Sequence, residues 1–178
     1  MEQNVSMKIN ELPSPTWNWL KVNETPIKWS NKIEPCEIAA EGDAVSTETE
    51  QLSDIETGAG READAIFATE NTAKYQILAD NAGQDKTVRL HISGKKDAHM
   101  AGCVEIVAKE NSTLTVVMDS RVAPDATKEE DSTAEASLAV RVRMKVESGA
   151  SVRLVQVQMP QEHETLLSDI GGNLIGEG

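Results

Sequence analysis

The chain has 178 residues, with 17 Lys and Arg against 30 Asp and Glu, and a formal net charge of −13. This length is enough for one domain with a buried core. The acidic balance excludes a typical nucleic-acid binder, which needs Lys and Arg to neutralise phosphates, and a peripheral protein held to anionic lipid. Aromatic residues make up only 3% and almost all precede residue 70, so a core in the second half must be aliphatic.

The sequence carries no signal for export or membrane insertion. No basic segment followed by an apolar run stands at the N-terminus, and no stretch reaches the roughly 18 apolar residues of a membrane span. The two cysteines, Cys36 and Cys103, form neither a C-x-x-C motif nor a disulfide framework. We therefore expect a cytoplasmic protein that binds neither nucleic acid nor membrane.

The first part of the chain, residues 1–70, is predicted to be a helical and irregular segment. A Ser-Pro helix start and spaced apolar residues predict a short helix within 11–30. Residues 41–64 hold eight acidic residues against one arginine, which predicts a solvated loop or linker, with an acidic docking tail as the alternative. Residues 61–68 are predicted as another short helix.

The second part, residues 71–178, is predicted to be all-β. From residue 73 onward apolar and polar residues alternate over stretches of five to nine positions, the pattern of strands. Turn residues separate these stretches, as in Asn81-Ala-Gly and Ser148-Gly. Residues 123–135, which include Pro124, form a second acidic interruption.

Two segments of the β part repeat each other without a gap. Residues 104–117 align with residues 142–155, and five apolar positions match; these are Val104 with Val142, Ile106 with Met144, Ala108 with Val146, Leu114 with Val152 and Val116 with Leu154. The repeat of a strand, a polar turn and a second strand is typical of a coiled β-solenoid.

The repeat makes two more detailed predictions. If the copies are neighbours in one sheet, Glu105 lies opposite Arg143 and Lys109 lies opposite Glu147, which pairs opposite charges. Each copy also interrupts its alternation at a Val-Val or Leu-Val step, at 116–117 and 154–155, which predicts a bend at that point.

Several segments resemble SufD-type proteins of the SufB/SufD family, which belongs to the SUF system of iron–sulfur cluster assembly. The similar segments are Leu12-Pro-Ser-Pro-Thr-Trp-Asn-Trp-Leu-Lys-Val-Asn, Gly58-Ala-Gly-Arg-Glu, Asn111-Ser-Thr-Leu-Thr-Val-Val-Met-Asp, Gly149-Ala-Ser-Val-Arg-Leu-Val-Gln-Val-Gln and Leu167-Ser-Asp-Ile-Gly-Gly. The resemblance covers most of the chain outside the acidic segments. It rests on the order and spacing of these segments rather than on a catalytic motif.

The resemblance implies a fold and a set of partners. The family core is a right-handed parallel β-helix preceded by a helical segment, so the β part is expected to form its rungs. A family member of the SufD type pairs with a SufB-like subunit and a SufC-like ATPase, in a complex that builds and transfers an Fe–S cluster. The subunit itself is a non-catalytic scaffold, and no cofactor is expected within these residues.

The chain also departs from the family pattern. Family members are about twice as long, and the C-terminal helices that bind the SufC-like ATPase have no counterpart here. The final rungs, which carry the interface with the SufB-like subunit and the cluster-associated Cys, His and Glu residues of the family, have no counterpart either. Leu167-Ser-Asp-Ile-Gly-Gly-Asn-Leu-Ile-Gly-Glu-Gly resembles an unfinished rung, so the sequence is expected to correspond to the N-terminal half of such a protein.

No residue is assigned a catalytic, metal-binding or cofactor-binding role from the sequence. Cys103 with His99 and His91 contains soft metal ligands, but the spacing matches no standard zinc or Fe–S site. A surface or partly buried thiol with solvated imidazoles is the favoured interpretation. The acidic neighbours of Cys36 predict a raised thiol pKa and no role.

Other polar groups receive structural interpretations. His163, Glu164 and Asp169 lack the nucleophile and oxyanion loop that hydrolytic chemistry requires. Gly171-Gly172 is followed by no Lys-Ser/Thr and is therefore no phosphate loop. A basic stripe, Arg141, Arg143 and Lys145, is expected to balance carboxylates rather than bind an anion.

Three classes of function remain open at this point. The favoured hypothesis is the SufD-like scaffold. A generic β-solenoid binding or adhesion module is the second. A β-helix carbohydrate-active enzyme is the third, because Asp119 and Arg121 share a strand face and Asp125 follows them.

Overall fold

A computed structural model of the chain describes residues 4–9, 25–49, 52–68, 70–80, 82–122 and 136–176. These residues form strands and one short helix. In chain order the elements are β1 (Asn4–Ile9), β2 (Thr25–Ser30), β3 (Glu34–Pro35), β4 (Glu37–Gly42), β5 (Val45–Glu48), α1 (Arg61–Phe67), β6 (Ala73–Ala79), β7 (Asp85–Ser93), β8 (His99–Ala108), β9 (Thr113–Arg121), β10 (Ala136–Val146), β11 (Ser151–Gln158) and β12 (Glu164–Leu174). The prediction of a mainly β chain is confirmed.

The strands form a small hairpin and two larger sheets. β1 and β2 pair antiparallel. One larger sheet, here the wide sheet, has the order β12-β10-β8-β6-β5, with β3 also paired to β8. The other, here the narrow sheet, has the order β11-β9-β7-β4. From β6 to β12 consecutive strands alternate between the two sheets, and each strand from β8 onward pairs in parallel with the strand two places earlier in the chain. Among the described strands, only β4 and β5 join these sheets antiparallel.

The register confirms the predicted repeat. Val104 lies opposite Val142 in the wide sheet, and Leu114 lies opposite Val152 in the narrow sheet. The gap-free alignment of the two copies is therefore the alignment of neighbouring parallel strands. The charge pairing follows from it, because Lys109 Nζ lies 2.8 Å from Glu147 Oε1.

The main core lies between the wide and narrow sheets and is almost entirely aliphatic. Every second residue of β7 points inward, so Val88, Leu90 and Ile92 are buried while their neighbours are exposed. Ile106 of the wide sheet and Met118 of the narrow sheet belong to the same buried cluster. Aliphatic packing of this kind explains why so few aromatic residues are needed.

Near β12 the space between the sheets becomes polar. Gln156 of β11 donates from Nε2 to Ser168 Oγ of β12 at 2.9 Å. Ser168 lies in register with the buried Val140 of β10. The core position that is apolar in β10 is therefore polar in β12, where Ser168 hydrogen-bonds to Gln156 on the opposite sheet.

The predicted bend at residues 116–117 is wrong. β9 continues from Thr113 to Arg121, and Leu114, Val116 and Met118 keep the inward alternation through the Val-Val step. Val117 simply occupies a half-buried outward position, which a β-branched residue tolerates well in a strand.

The acidic segment 41–64 is not the solvated loop that its composition predicted. It contains the end of β4, all of β5 and the start of α1. Composition misses this because β5 satisfies its backbone by pairing with β6, which needs no apolar side chains. The helix predicted at 61–68 is confirmed as α1.

The helix predicted within 11–30 falls mainly outside the described residues. The part that is described, Thr25–Ser30, is strand β2 rather than helix, because it pairs with β1. The acidic interruption 123–135 also lies outside the described residues. Within them, no helix has the length and apolarity to cross a membrane.

Candidate functional site

The outer face of the wide sheet collects the polar residues that the sequence singled out. Parallel register places Cys103, Arg141 and Asp169 opposite one another on β8, β10 and β12. The adjacent register row contains Glu105, Arg143 and Gly171. We call this surface the covered face, because α1 and residues 52–60, together called the cover, lie over it.

Arg141 is the centre of the covered face, and its side chain is only 4% exposed. Its Nε donates to Asp169 Oδ2 at 2.7 Å, and its Nη2 lies 2.8 Å from Asp64 Oδ1 of α1. The guanidinium carbon stands 4.2 Å from the centre of the Phe67 ring. Arg141 therefore joins the sheet to two positions of α1 by charge and by cation–π contact.

Asp169 is a fully buried carboxylate with several donors. Besides Arg141, it accepts hydrogen bonds from Thr57 Oγ1 at 2.6 Å and from the backbone N–H of Ala59 at 2.8 Å. A buried charge is tolerated only when it is paired and hydrogen-bonded in this way. The carboxylate thus fixes the cover on β12.

Glu105 holds the other end of the cover. It accepts hydrogen bonds from the backbone N–H of Ser53 at 2.8 Å and from Gln76 Nε2 at 2.6 Å. Arg143 Nη1 donates to the Ser53 carbonyl at 2.7 Å. Burial by itself would raise the pKa of Glu105, but the hydrogen bonds from Ser53 and Gln76 and the charge of Arg143 lower it below its usual value.

Gly171 allows the cover to approach β12 closely. A Cβ atom at this position would overlap the carbonyl oxygen of Glu56. The next residue, Gly172, would meet only ordinary contacts, the nearest being Met144 at 3.7 Å. Gly171 is thus a docking position of the cover, which agrees with the sequence interpretation that these glycines form no phosphate loop.

Cys103 is enclosed beneath the cover. Burial raises the pKa of its thiol, although the nearby positive charges of Arg141, Arg143 and Lys74 work in the opposite direction. A thiol of this kind is protonated at neutral pH and is a poor nucleophile. Cys103 is thus buried, with 5% of its surface exposed, rather than the surface or partly buried thiol that the sequence favoured.

The histidines do not join Cys103 in a metal site. His99 is four residues from Cys103 on the same strand, which corresponds to roughly 13 Å, and its Nδ1 bonds to Ser137 Oγ. His91 belongs to the narrow sheet, where its Nδ1 lies 3.9 Å from Asp119 Oδ2. Within the described ranges, no group of three or more His, Cys, Asp or Glu is arranged to hold a metal ion.

Cys36 lies where β3 leads into β4, beside the strand β8 that carries Cys103, and its backbone N–H bonds to the Ala101 carbonyl at 3.1 Å. Its thiol is buried against Gly102, at which a Cβ atom would overlap Cys36 Sγ. The pKa of Cys36 is raised to about 12, first by burial, then by Cys103, with Glu37 adding a smaller increase. The predicted direction is confirmed, but burial rather than acidic neighbours is the main cause.

The other candidate groups are also separated. His163 is exposed and lies 3.9 Å from Glu162, whereas Asp169 is bound to Arg141 in the covered face. Asp119 and Arg121 do share an exposed strand face, and Arg121 Nη2 donates to Asp119 Oδ2 at 3.0 Å. Asp119 and Asp169 are therefore each held by an arginine, on different sheets.

The basic stripe of β10 balances carboxylates, as predicted. Arg141 contacts two aspartates, and Arg143 lies near Glu105. Lys145 Nζ is 3.9 Å from Glu147 Oε1. The pKa of Glu147 is lowered below its usual value, and the hydrogen bond from Lys109 is the largest cause of this shift.

Sequence reasoning missed the link between the stripe and the cover. Aligning residues 136–146 with 164–174 would have placed Asp169 beside Arg141, since Leu138 matches Leu166 and Val142 matches Ile170. The contributions of Thr57 and Asp64 carry no comparable signal, because both belong to a segment with no repeat.

Comparison of the chain with protein-family models, with curated proteins and with solved structures finds no match.

Proposed function

We propose that the chain is a non-catalytic scaffold subunit of the SufB/SufD type, and that its two parallel ladders are rungs of a right-handed parallel β-helix. The observation that carries the proposal is the register of the repeat. Each strand from β6 to β10 pairs in parallel with the strand two places later in the chain, in both sheets, so that Val104 lies opposite Val142 and Leu114 lies opposite Val152. Successive rungs of a β-helix stack in this way.

The spacing of the strands supports this rung assignment. The 38-residue spacing from β8 to β10 becomes 28 residues from β10 to β12, without loss of register. Most of the difference falls between β9 and β10, which are separated by residues 122–135, whereas residues 159–163 separate β11 from β12. Crossovers between parallel strands are right-handed in almost all proteins, which favours the handedness we propose.

The covered face supports a scaffold rather than an enzyme. Arg141, Asp169 and Glu105 are all engaged in contacts that hold the cover on the sheet. General acid–base catalysis requires a titratable group within reach of a substrate, and these groups are directed at the cover instead. The resemblance adds the partners, a SufB-like subunit and a SufC-like ATPase that handle a nascent Fe–S cluster.

The test is anaerobic co-purification. The product of the gene that encodes this chain is tagged at its N-terminus and co-expressed with a SufB-like subunit and a SufC-like ATPase from the same genome, and recovered proteins are quantified by mass spectrometry. We expect stoichiometric recovery of the SufB-like subunit. The neutral variant Glu162→Gln should retain it, because this side chain is 91% exposed, whereas Val140→Asp should abolish it by placing a charge in the core.

Two results would overturn the proposal. One is a chain that is folded by circular dichroism and monodisperse, yet recovers neither partner. The other is hydrolysis of a polyuronate that is lost in Asp119→Asn, which would establish the carbohydrate-active alternative.

A further inference from the structure

A cleft of about 1100 Å3 opens where β3 and β4 meet the end of β5 and the start of β6. Its inner wall contains Ile38, Ala73 and Tyr75, which are half-buried and pack against the main core. Cys36 is buried at its base. The cleft therefore offers apolar surface and an aromatic ring, on the opposite edge of the wide sheet from β12.

The mouth of this end cleft is acidic. Glu37, Glu48 and Glu70 line it and are exposed, and they outnumber Lys74, a half-buried cation of the same lining. Lys95 Nζ lies 3.4 Å from Glu37 Oε1 and partly neutralises it. Glu48 and Glu70 have no ion pair within the part of the chain that the structure describes, so their charges are directed at the solvent in the mouth.

A strand edge ends at the same place. β5 is the last strand in the order of the wide sheet and pairs with β6 on one side. Its other edge has no partner strand among the described residues, so its backbone N–H and C=O groups are available for pairing. Extended peptides bind to such edges by adding a strand.

We propose that the end cleft binds an extended basic peptide segment of a partner protein. The peptide pairs with the edge of β5, and a Lys or Arg side chain extends between Glu48 and Glu70. The aliphatic part of that side chain lies on Tyr75 and Ile38, as long cationic side chains do on apolar surfaces. The net charge of −13 attracts such a partner over longer distances.

Size and shape favour a peptide over a small organic cation. Small-molecule sites usually have volumes of about 300–1000 Å3 and bury most of the surface of their ligand. The end cleft, with about 1100 Å3, lies at the upper end of that range, and its lining includes Glu48, the last residue of the edge strand β5. A small cation would use the carboxylates and leave the strand edge and much of the apolar wall unoccupied.

The experiment measures binding of the labelled peptide Lys-Val-Lys-Val-Lys-Val by fluorescence anisotropy at low salt. In the double variant Glu48→Gln/Glu70→Gln we expect the affinity to fall about two- to thirtyfold, because two surface ion pairs with the peptide are lost. The double variant Glu110→Gln/Glu162→Gln changes the net charge equally at exposed sites away from the cleft, and is expected to bind like the unmodified chain.

Three results would overturn the proposal. The first is absence of peptide binding, and the second is equal weakening in both double variants, which would indicate general charge attraction. The third is equally tight binding of either of two controls. Equal binding of a peptide methylated on alternate backbone nitrogens would exclude pairing with the edge of β5, and equal binding of spermidine would make the end cleft a site for small cations.

Discussion

The wide and narrow sheets bury the same kind of aliphatic face, but their outer faces differ. On the narrow sheet, His91 and Arg121 are both 52% exposed and interact with Asp119 near the solvent. On the wide sheet, the cover buries Arg141 and Asp169 almost completely. Alternation along a strand therefore identifies the residues that do not face the main core, but not whether those residues are exposed.

The difference sets the energetic importance of the polar groups on each face. An ion pair near solvent contributes little, because water screens the charges and competes for the hydrogen bonds. A buried pair is costly to disrupt from one side, because the remaining charge stays buried without a partner. The same residue types should thus respond very differently to substitution on the two sheets.

The largest effect is expected for Arg141→Ala. It leaves the carboxylate of Asp169 buried with one donor fewer and removes the contacts with Asp64 and Phe67. We expect a loss of about 3–5 kcal/mol in the free energy of unfolding, measured by urea denaturation. The matched variant Arg121→Ala on the narrow sheet should cost less than about 1 kcal/mol. Equal losses would remove the distinction between the two faces.

An intermediate effect is expected for Gly171→Ala, which introduces a methyl group where Glu56 approaches β12. We expect a cost of about 1–3 kcal/mol, typical of overpacking. Exchange of the Gly58 amide, which bonds to the Ile170 carbonyl at 3.3 Å, should accelerate. Gly172→Ala is the control and should change neither quantity by much, since its surroundings leave room for a methyl group.

The smallest effect, and a pH-dependent one, is expected for Glu105→Gln. Because the folded-state pKa of Glu105 is lowered, its carboxylate stabilises the fold above the unfolded value of about 4.3. That stabilisation is lost as the pH falls through the folded-state pKa. The unmodified chain should be more stable at pH 7 by about 1 kcal/mol, and this difference should shrink between pH 5 and pH 3. A difference that does not change with pH would contradict the assigned cause.

Much of the β part could be predicted, because period-two alternation and the repeat encode it directly. Val104 and Val142 lie opposite each other in the structure as they do in the alignment. The exception is the bend at 116–117, where an apolar residue in an outward position resembles a change of face. Apolar content alone does not separate these two cases.

The helix α1 of the cover could be predicted, but residues 52–60 and the docking of the cover could not, and the reason is physical. Residues 52–60 carry no periodic pattern and two acidic side chains, so composition favours a solvated loop. They are held instead by backbone groups, such as the N–H of Ser53 and of Ala59, which bond to Glu105 and Asp169. Every residue except proline has such an N–H, so the identities of the residues in this segment do not predict the contact.

The hydrogen bond between Thr57 and Asp169 joins positions 112 residues apart. Closing so long a loop has a large entropic cost, and contacts of high sequence separation slow folding. Asp169 also needs Arg141 beside it before its charge can be buried, so β10 and β12 have to be paired first. The cover is therefore the last part to dock, and weakening its contacts should accelerate unfolding while leaving the folding rate nearly unchanged.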